Sequence, residues 1–269
     1  MTETPGTLLA ALRAEPPLVQ CLTNYVAMNI AANVVLAAGA SPAMVADIEE
    51  AEEFAGIAGA VTVNIGTLSE TFVAGAKAAI AGAGAAGRPW VLDPVACQAT
   101  AYRRQVAADL VALGPAIIRG NASEILSLAG EASQGQGVDG RDPVTVAEDG
   151  ARRLAKESGC VVAVTGAVDF VTDGVRSVRI EGGSPLMPMN TALGCSLTCL
   201  CGAYAAVAGD PFDAAVGALA HFAVAGTRAH GKAEGAGTFG PHFLDALQAV
   251  SPEILDAEAI INNVGEVTS

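Results

Sequence analysis

The chain has 269 residues, 52% of them apolar but only 4% aromatic, and its 28 acidic against 14 basic side chains give a net charge of −14. That length suits a single α/β domain over residues 1–269, because no stretch reads as a linker between two independent cores. The acidic balance excludes a nucleic-acid surface, which needs clustered Lys and Arg to release counterions, and the scarcity of aromatics predicts a core of Ala, Val, Leu and Ile with closely approaching helices.

The first apolar stretch, Leu8 to Leu12, ends at Arg13 and is too short for the core of a signal peptide, so a cytoplasmic chain is expected. A strand is predicted over Leu18 to Leu22 and a helix from about Val26. The uncharged run Asn24 to Ala46 is interrupted by Asn24, Asn29, Asn33 and Ser41-Pro42, and therefore reads as buried helix and turn, not as a membrane span. Strand and helix signals then alternate: Ala43 to Val45 before a helix from about Ile48, Ala60 to Val63 before an Ala-rich helix near Ser69, Trp90 to Leu92 before a helix near Ala101, and Ala116 to Ile118 before Ala122 to Leu128. Such alternation builds a parallel sheet covered on both faces. The Gly-rich polar segment Ser133 to Arg141 reads as a mobile loop. From Cys160 the spacing changes. Val161 to Val164, Val168 to Val171 and Val175 to Ile180 are joined by Thr165-Gly166 and Asp173-Gly174, turns too short to hold crossover helices, so antiparallel strands are expected on one side of the sheet. Nearly continuous helix is predicted from Gly194 to the end, punctuated by Gly209-Asp210-Pro211 and Gly231 to Gly240. The run Leu193 to Ala208 is short of the ~20 residues that cross a bilayer and contains Ser196 and Thr198. The six cysteines include no CxxC pair, so they are expected to be reduced, with Cys199 and Cys201 packed in the core.

Two glycine motifs fail on context. Gly82 to Gly87 spells GxGxxG but ends a helix and precedes a strand, the reverse of a dinucleotide loop. Gly226 to Ala233 approaches a P-loop, yet Ala233 stands where Ser or Thr must reach a cation, and the segment follows a helical run. Three histidines without a paired spacing, and no GxSxG, argue against a histidine zinc site and a serine hydrolase.

The segment with chemical content is Asn190 to Cys195, a polar loop entering a helix of small residues at Gly194. Free amides and the dipole at a helix start favour an anion such as a phosphoryl group in transfer. Cys195 at the same terminus is expected to have a lowered pKa and to orient or accept a proton; an ordinary helix cap with a buried Cys is the alternative. Asp93 follows a strand, at the sheet edge where α/β proteins bind ligands. Arg119 also follows a strand and is placed to pair with phosphate, while Glu124 with Asp93 is placed to hold water-ligated Mg²⁺. Equally, Asn121 and Glu124 fit a capping box. Thr165-Gly166 reads either as a turn or as a nucleotide contact.

Taken together, Cys21 to Val26, Gly39 to Met44, Asn64 to Leu68, Leu92 to Val95, Ile118 to Ala122, Val164 to Gly166 and Thr191 to Cys195 resemble the hydroxyethylthiazole kinase family in order and spacing, from about Pro17 to Val250. The resemblance implies a ribokinase-like three-layer α/β sandwich and transfer of phosphate from ATP, with Mg²⁺, to the primary hydroxyl of a thiazole alcohol in thiamine salvage. It implies that Met44, Asn24, Gly66 and Ala192 contact the alcohol. Arg119, Thr165 and Gly194 would contact ATP, Asp93 and Glu124 would organise Mg²⁺, and Cys195 would stand where other ribokinase-like enzymes place an aspartate base. It also implies a homotrimer with sites between subunits. A hydroxymethylpyrimidine-type kinase and a catalytically weak thiazole or nucleotide binder are the competing readings.

One departure stands out. The family loop reads Thr-Gly-Ala-Gly-Cys, and here Ala192 and Leu193 occupy its second and third positions. Glycine permits positive φ and close approach of backbone to phosphate, whereas Ala192 brings a Cβ and Leu193 an isobutyl group where room is scarce; either the loop tolerates them with its amides still aimed inward, or the anion hole is impaired and turnover is slow.

Overall fold

The computed structural model describes residues 1–131 and 144–264. Ser133 to Arg141, predicted as a mobile loop, lies outside the described residues. Within them, nine strands form one sheet in the order β2-β1-β3-β4-β5-β6-β7-β8-β9. These are β1 (Leu18–Leu22), β2 (Ser41–Ala43), β3 (Ala60–Asn64), β4 (Trp90–Asp93), β5 (Ile117–Asn121), β6 (Val161–Thr165), β7 (Asp169–Thr172), β8 (Ser177–Glu181) and β9 (Ile260–Asn263). The first six pair in parallel. The last three join antiparallel at one edge; β7 and β8 are those that the short turns after Cys160 predict.

Helices α3 (Ala51–Ile57), α4 (Glu70–Ala85), α5 (Ala101–Val111), α6 (Ala122–Leu128) and α7 (Val144–Ser158) cover one face. The other face carries α1 (Pro5–Ala14), α2 (Met28–Ala38), α8 (Leu193–Ala205), α9 (Pro211–His230), α10 (Ala236–Ala249) and α11 (Pro252–Glu258). The result is the expected three-layer sandwich. Its two cores consist mostly of Ala, Val, Leu and Ile, and the polar starts of α4, α5 and α9 are fixed by side-chain caps from Ser69, Thr100 and Asp210.

Several boundaries shift from the sequence reading. The second strand runs Ser41–Ala43 instead of Ala43 to Val45, and α3 begins at Ala51, three residues after Ile48, because Asp47 to Glu50 form a turn. The apolar run Leu8 to Leu12 belongs to α1, started by the Thr4 cap and Pro5. The chain does not end in continuous helix: β9 adds to β8 at the sheet edge. Among the described residues no helix is long and apolar enough to cross a membrane. All six cysteines are free, with Cys199 and Cys201 in the core.

The α8-facing core fixes where polar groups can lie. Strand residues alternate between faces, so with Val91, Ile117 and Ala163 packed on the α8 side, Asp93, Arg119 and Thr165 project to that side two residues later. Thr62 and Asn64 of β3 follow the same rule, since Val61 and Val63 pack on the opposite face. Helix α8 lies close over this row: a Cβ at Gly202 would stand 2.3 Å from Thr62 Cγ2. That contact sets how closely α8 can approach the sheet near its C-terminal turn.

Candidate active site

At the carboxyl ends of β3, β4, β5 and β6, the polar row meets the first turns of α8. Asp93 is fully buried. Its Oδ2 accepts from Asn64 Nδ2 at 2.7 Å and from Thr198 Oγ1 at 2.8 Å, and Arg119 Nη1 lies 3.6 Å away. Its Oδ1 is buried with no protein partner. Burial raises the Asp93 pKa, while Arg119 and the donors from Thr198 and Asn64 pull it back. One oxygen is thus held by the protein and the other remains available.

Arg119 continues the row. Its Nη2 donates to Thr165 Oγ1 at 2.5 Å, and Thr165 Oγ1 donates onward to Gly120 O at 3.3 Å. The guanidinium is nearly buried and its Nε has no partner. Burial alone would lower its pKa, but the Asp93 and Glu124 carboxylates reverse the shift and keep it charged. Gly194 seats on this guanidinium: a Cβ there would fall 3.0 Å from both terminal nitrogens. Glycine at 194 therefore lets the α8 start approach Arg119 directly.

Glu124 fills both of its sequence readings. With Asn121 it makes the full capping box of α6. Its Oε2 accepts from Asn121 N at 2.8 Å and its Oε1 from Ala96 N at 2.9 Å. The Ala96 amide is aimed there by a left-handed backbone, φ 52°. Burial, then the charge of Asp93, lifts the Glu124 pKa to about 7 against the pull of the two amides and Arg119.

The other flank is a chain of amides. Asn64 Oδ1 accepts from Gly66 N at 2.9 Å and from Asn24 Nδ2 at 3.0 Å, and Asn24 Nδ2 also donates to Cys195 Sγ at 3.3 Å. Asn24 Oδ1 in turn accepts the amides of Val26 and Ala27. Every polar atom of the two side chains has one role, so neither amide can be turned over without losing bonds. A Cβ on Gly66 would strike the Asn24 amide at 2.7 Å. Asp93, Asn64, Asn24 and Cys195 thus form one continuous hydrogen-bonded path between a carboxylate and a thiol.

The expectation of a lowered Cys195 pKa is corrected. Burial, followed by the charge of Asp93, pushes the thiol up to about 11, outweighing Arg119 and the bonds from Asn64 and Asn24. The helix terminus is present, but desolvation is the larger effect. Ala192 caps α8 in the left-handed conformation, φ 64° and ψ 8°, and gives no side-chain bond to the helix start. The loop therefore keeps the shape that a glycine would adopt without strain.

Among the sequence-derived candidates, Asn24, Gly66, Asp93, Arg119, Glu124, Thr165, Gly194 and Cys195 come together. Met44, just beyond β2, is half-buried against the α8-side core, and with Ala192 it contributes no polar atom to the network. Sequence reasoning missed Asn64, Thr198 and Arg103. Thr198 interrupts an apolar helix three residues after Cys195, on the same helical face, and that spacing was the available signal. Among the described residues, no group of three or more metal-ligating side chains gathers.

Comparison with known proteins decides the lineage. The model of the hydroxyethylthiazole kinase family matches residues 9–253. The chain belongs to that family. It is 65% identical over 260 residues to a hydroxyethylthiazole kinase of Rhizobium leguminosarum bv. trifolii (strain WSM2304), covering 96% of this chain and 97% of the relative. The hydroxyethylthiazole kinase of Gemmatimonas aurantiaca (strain DSM 14586 / JCM 11422 / NBRC 100505 / T-27) is 62% identical over 251 residues, covering 93% and 90%. The solved hydroxyethylthiazole kinase of Pyrococcus horikoshii OT3 superposes with a TM-score of 0.90 at 35% identity, over 97% of this chain and 99% of that one. A pyridoxal kinase from Staphylococcus aureus in complex with AMP-PCP and pyridoxal shares the fold alone, with a TM-score of 0.60 at 15% identity, over 79% and 89%. The ribokinase-like architecture expected from the sequence is thereby established, and the chain is a kinase.

Proposed function

We propose that the chain transfers the terminal phosphoryl group of ATP to the primary hydroxyl of 4-methyl-5-(2-hydroxyethyl)thiazole, as a single kinase unit over residues 1–269 acting in thiamine salvage. The observation that carries this reading is the convergence of Asp93, Arg119 and Cys195 at the start of α8 in a member of the hydroxyethylthiazole kinase family. Arg119 and Thr165 receive the phosphate tail, with the α8 amides at Gly194 opposite them. Asn24, Gly66, Met44 and Ala192 form the alcohol side.

The two carboxylates suit Mg²⁺. Asp93 has a buried oxygen without a partner, burial raises the proton affinity of both carboxyls, and the charge of Asp93 raises that of Glu124 further, so a cation beside them would relieve both. Magnesium is typically held by one or two carboxylates plus waters and phosphates, which matches a site of two. When bound, it would supply neutralisation of the triphosphate charge. Asp93 and Glu124 would hold it.

Cys195 acts from its neutral form. A thiol with a pKa near 11 contributes little thiolate at neutral pH, but the loose transition state of phosphoryl transfer asks for little deprotonation before bond formation. Asn24 donates to the sulfur and so fixes its lone pairs. The thiol orients the attacking hydroxyl, and as the new O–P bond forms and the bond to the departing ADP oxygen breaks, the alcohol's proton passes to an oxygen of the transferred phosphoryl group. Arg119 stays charged throughout and offsets the charge on the transferring group.

The same reading includes a cytoplasmic homotrimer with sites between subunits. Exposed apolar side chains beside the alcohol side support it: Tyr25, Val26 and Ile48 are 77%, 66% and 52% exposed, next to Asn24 and near Met44 in sequence. Comparing kcat/KM for the thiazole alcohol and for a hydroxymethylpyrimidine, with ATP and Mg²⁺, tests the substrate assignment. The thiazole alcohol should win by roughly 100-fold, the scale on which a shaped apolar pocket discriminates. Preference for the pyrimidine would assign the chain to that kinase type, and tight binding without product would make it a binder.

A further inference from the structure

Arg103 is out of place by local rules. It lies in the first turn of α5, where the helix dipole disfavours a cation, and its side chain is half-buried. Its guanidinium turns away from the helix to three backbone carbonyls. Nη1 donates to Ile65 O at 2.8 Å and Val95 O at 2.9 Å, and Nη2 donates to Gly66 O at 2.9 Å. These carbonyls belong to two loops that follow different strands, β3 and β4. Arginine is suited to the task, since a planar fork of fixed N–H groups can satisfy several acceptors that one ammonium cannot.

Each loop leads to a different part of the site. The Gly66 peptide is held from both sides, its N–H by Asn64 Oδ1 and its C=O by Arg103, with no room for a side chain against Asn24. Val95 is followed by Ala96, whose strained backbone aims its amide at Glu124 Oε1. One guanidinium therefore ties the wall beside Asn24 to the strap that holds Glu124.

We infer that Arg103 is a positioning residue that sets the alcohol wall at Gly66 and the Glu124 carboxylate in register with one another. The inference rests on the proposed roles of Gly66 and Glu124. Loss of the guanidinium loosens both loops at once, so binding of the alcohol and turnover fall together although Arg103 itself touches no reacting atom.

The test uses Arg103→Ala and Arg103→Lys in the full chain. Binding of the thiazole alcohol is measured by calorimetry without nucleotide or metal, alongside KM and kcat. For Arg103→Ala the alcohol Kd and KM should rise at least tenfold and kcat should fall at least tenfold, with partial recovery of both on adding millimolar guanidinium. Arg103→Lys should fall between that variant and the wild type. Should Arg103→Ala fail to fold, Arg103→Lys decides: a shifted Kd and kcat support the inference. Wild-type Kd, KM and kcat in a folded variant, even one with a lower melting temperature, would overturn it. Asp93→Asn is the control for the site itself: if it keeps full turnover, the assignment of the site fails, whereas its inactivity beside an unaffected Arg103→Ala removes the role of Arg103 alone.

Discussion

Asn64 and Asp93 are joined by one short bond, Nδ2 to Oδ2 at 2.7 Å, and the far side of the same Asn64 amide accepts from Asn24, the donor to Cys195. A single side chain thereby fixes which carboxylate oxygen of Asp93 faces inward and how the thiol is presented. Replacing it should disturb both. Asn64→Ala removes a bond to a buried charge, an effect of about 1.5–3 kcal/mol. We expect a loss of stability of that size in denaturant titrations and a fall in kcat/KM. A stability and rate equal to wild type would show that the path has no energetic weight.

Ala192 holds a left-handed backbone at the cap of α8. For a residue with a Cβ this conformation costs about 1–2 kcal/mol, and glycine removes the strain while adding some unfolded-state entropy. Ala192→Gly should therefore raise the denaturation midpoint, with a net gain of up to about 1 kcal/mol. Turnover should be maintained or increased, because the loop already has the glycine-like shape. A lowered midpoint would mean that the Ala192 side chain makes a contribution larger than its backbone strain.

The close approach of α8 to the sheet depends on Gly202. Adding one methyl places carbon 2.3 Å from Thr62 Cγ2, so Gly202→Ala must lift the helix or move β3. Overpacking of this kind costs about 1–3 kcal/mol. Since Thr198 and Cys195 ride on the same helix, their distances to Asp93 and Asn24 should lengthen. Kinetics should show kcat falling more than the fraction of folded protein. A fully active, equally stable Gly202→Ala would contradict this account of how the site is set.

His221 supplies a pH signature remote from the site. It is fully buried, with Nε2 against Leu247 O at 3.0 Å and Nδ1 against the Tyr204 hydroxyl at 3.1 Å. A carbonyl requires Nε2 to donate, so Nδ1 accepts from Tyr204 and the ring is neutral. Burial lowers its pKa to about 4 from the ordinary 6.5. The folded protein thus binds this proton less readily than the unfolded chain. The stabilisation is complete above pH 6.5 and drains away as pH falls toward 4, by about 3 kcal/mol in total. Denaturation midpoints of wild type should fall through that window more steeply than those of His221→Phe. Parallel slopes would place the titration elsewhere.

Much of the fold is readable from local pattern. Runs such as Val61 to Val63 and Val161 to Val164, separated by helix-length segments, specify strands and crossovers without tertiary knowledge, and the tight turns after Thr165 and Asp173 specify the antiparallel edge. What escapes is set at long range. Strand β9 is a short segment with mostly exposed side chains that is strand only because β8 offers an edge. Thr198 meets Asp93 across 105 positions, and Arg103 reaches Ile65 across 38, so neither partner is given by local sequence, although the i, i+3 spacing of Cys195 and Thr198 marks their shared helix face. The error at Cys195 is one of magnitude: a helix terminus is visible in sequence, whereas the depth of burial that overrides it is not. Asp93, Arg119 and Glu124 were legible because strand ends in a parallel sheet point to one rim.

The central claim is that phosphoryl transfer occurs where Asp93, Arg119 and Cys195 meet. The most direct measurement follows ³¹P resonances while purified wild type and Asp93→Asn are incubated with ATP, Mg²⁺ and the thiazole alcohol. Wild type should convert ATP to ADP with stoichiometric appearance of a phosphate monoester of the alcohol, and Asp93→Asn should form it at least 100-fold more slowly. No monoester with wild type, or equal rates in the two proteins, would contradict the account.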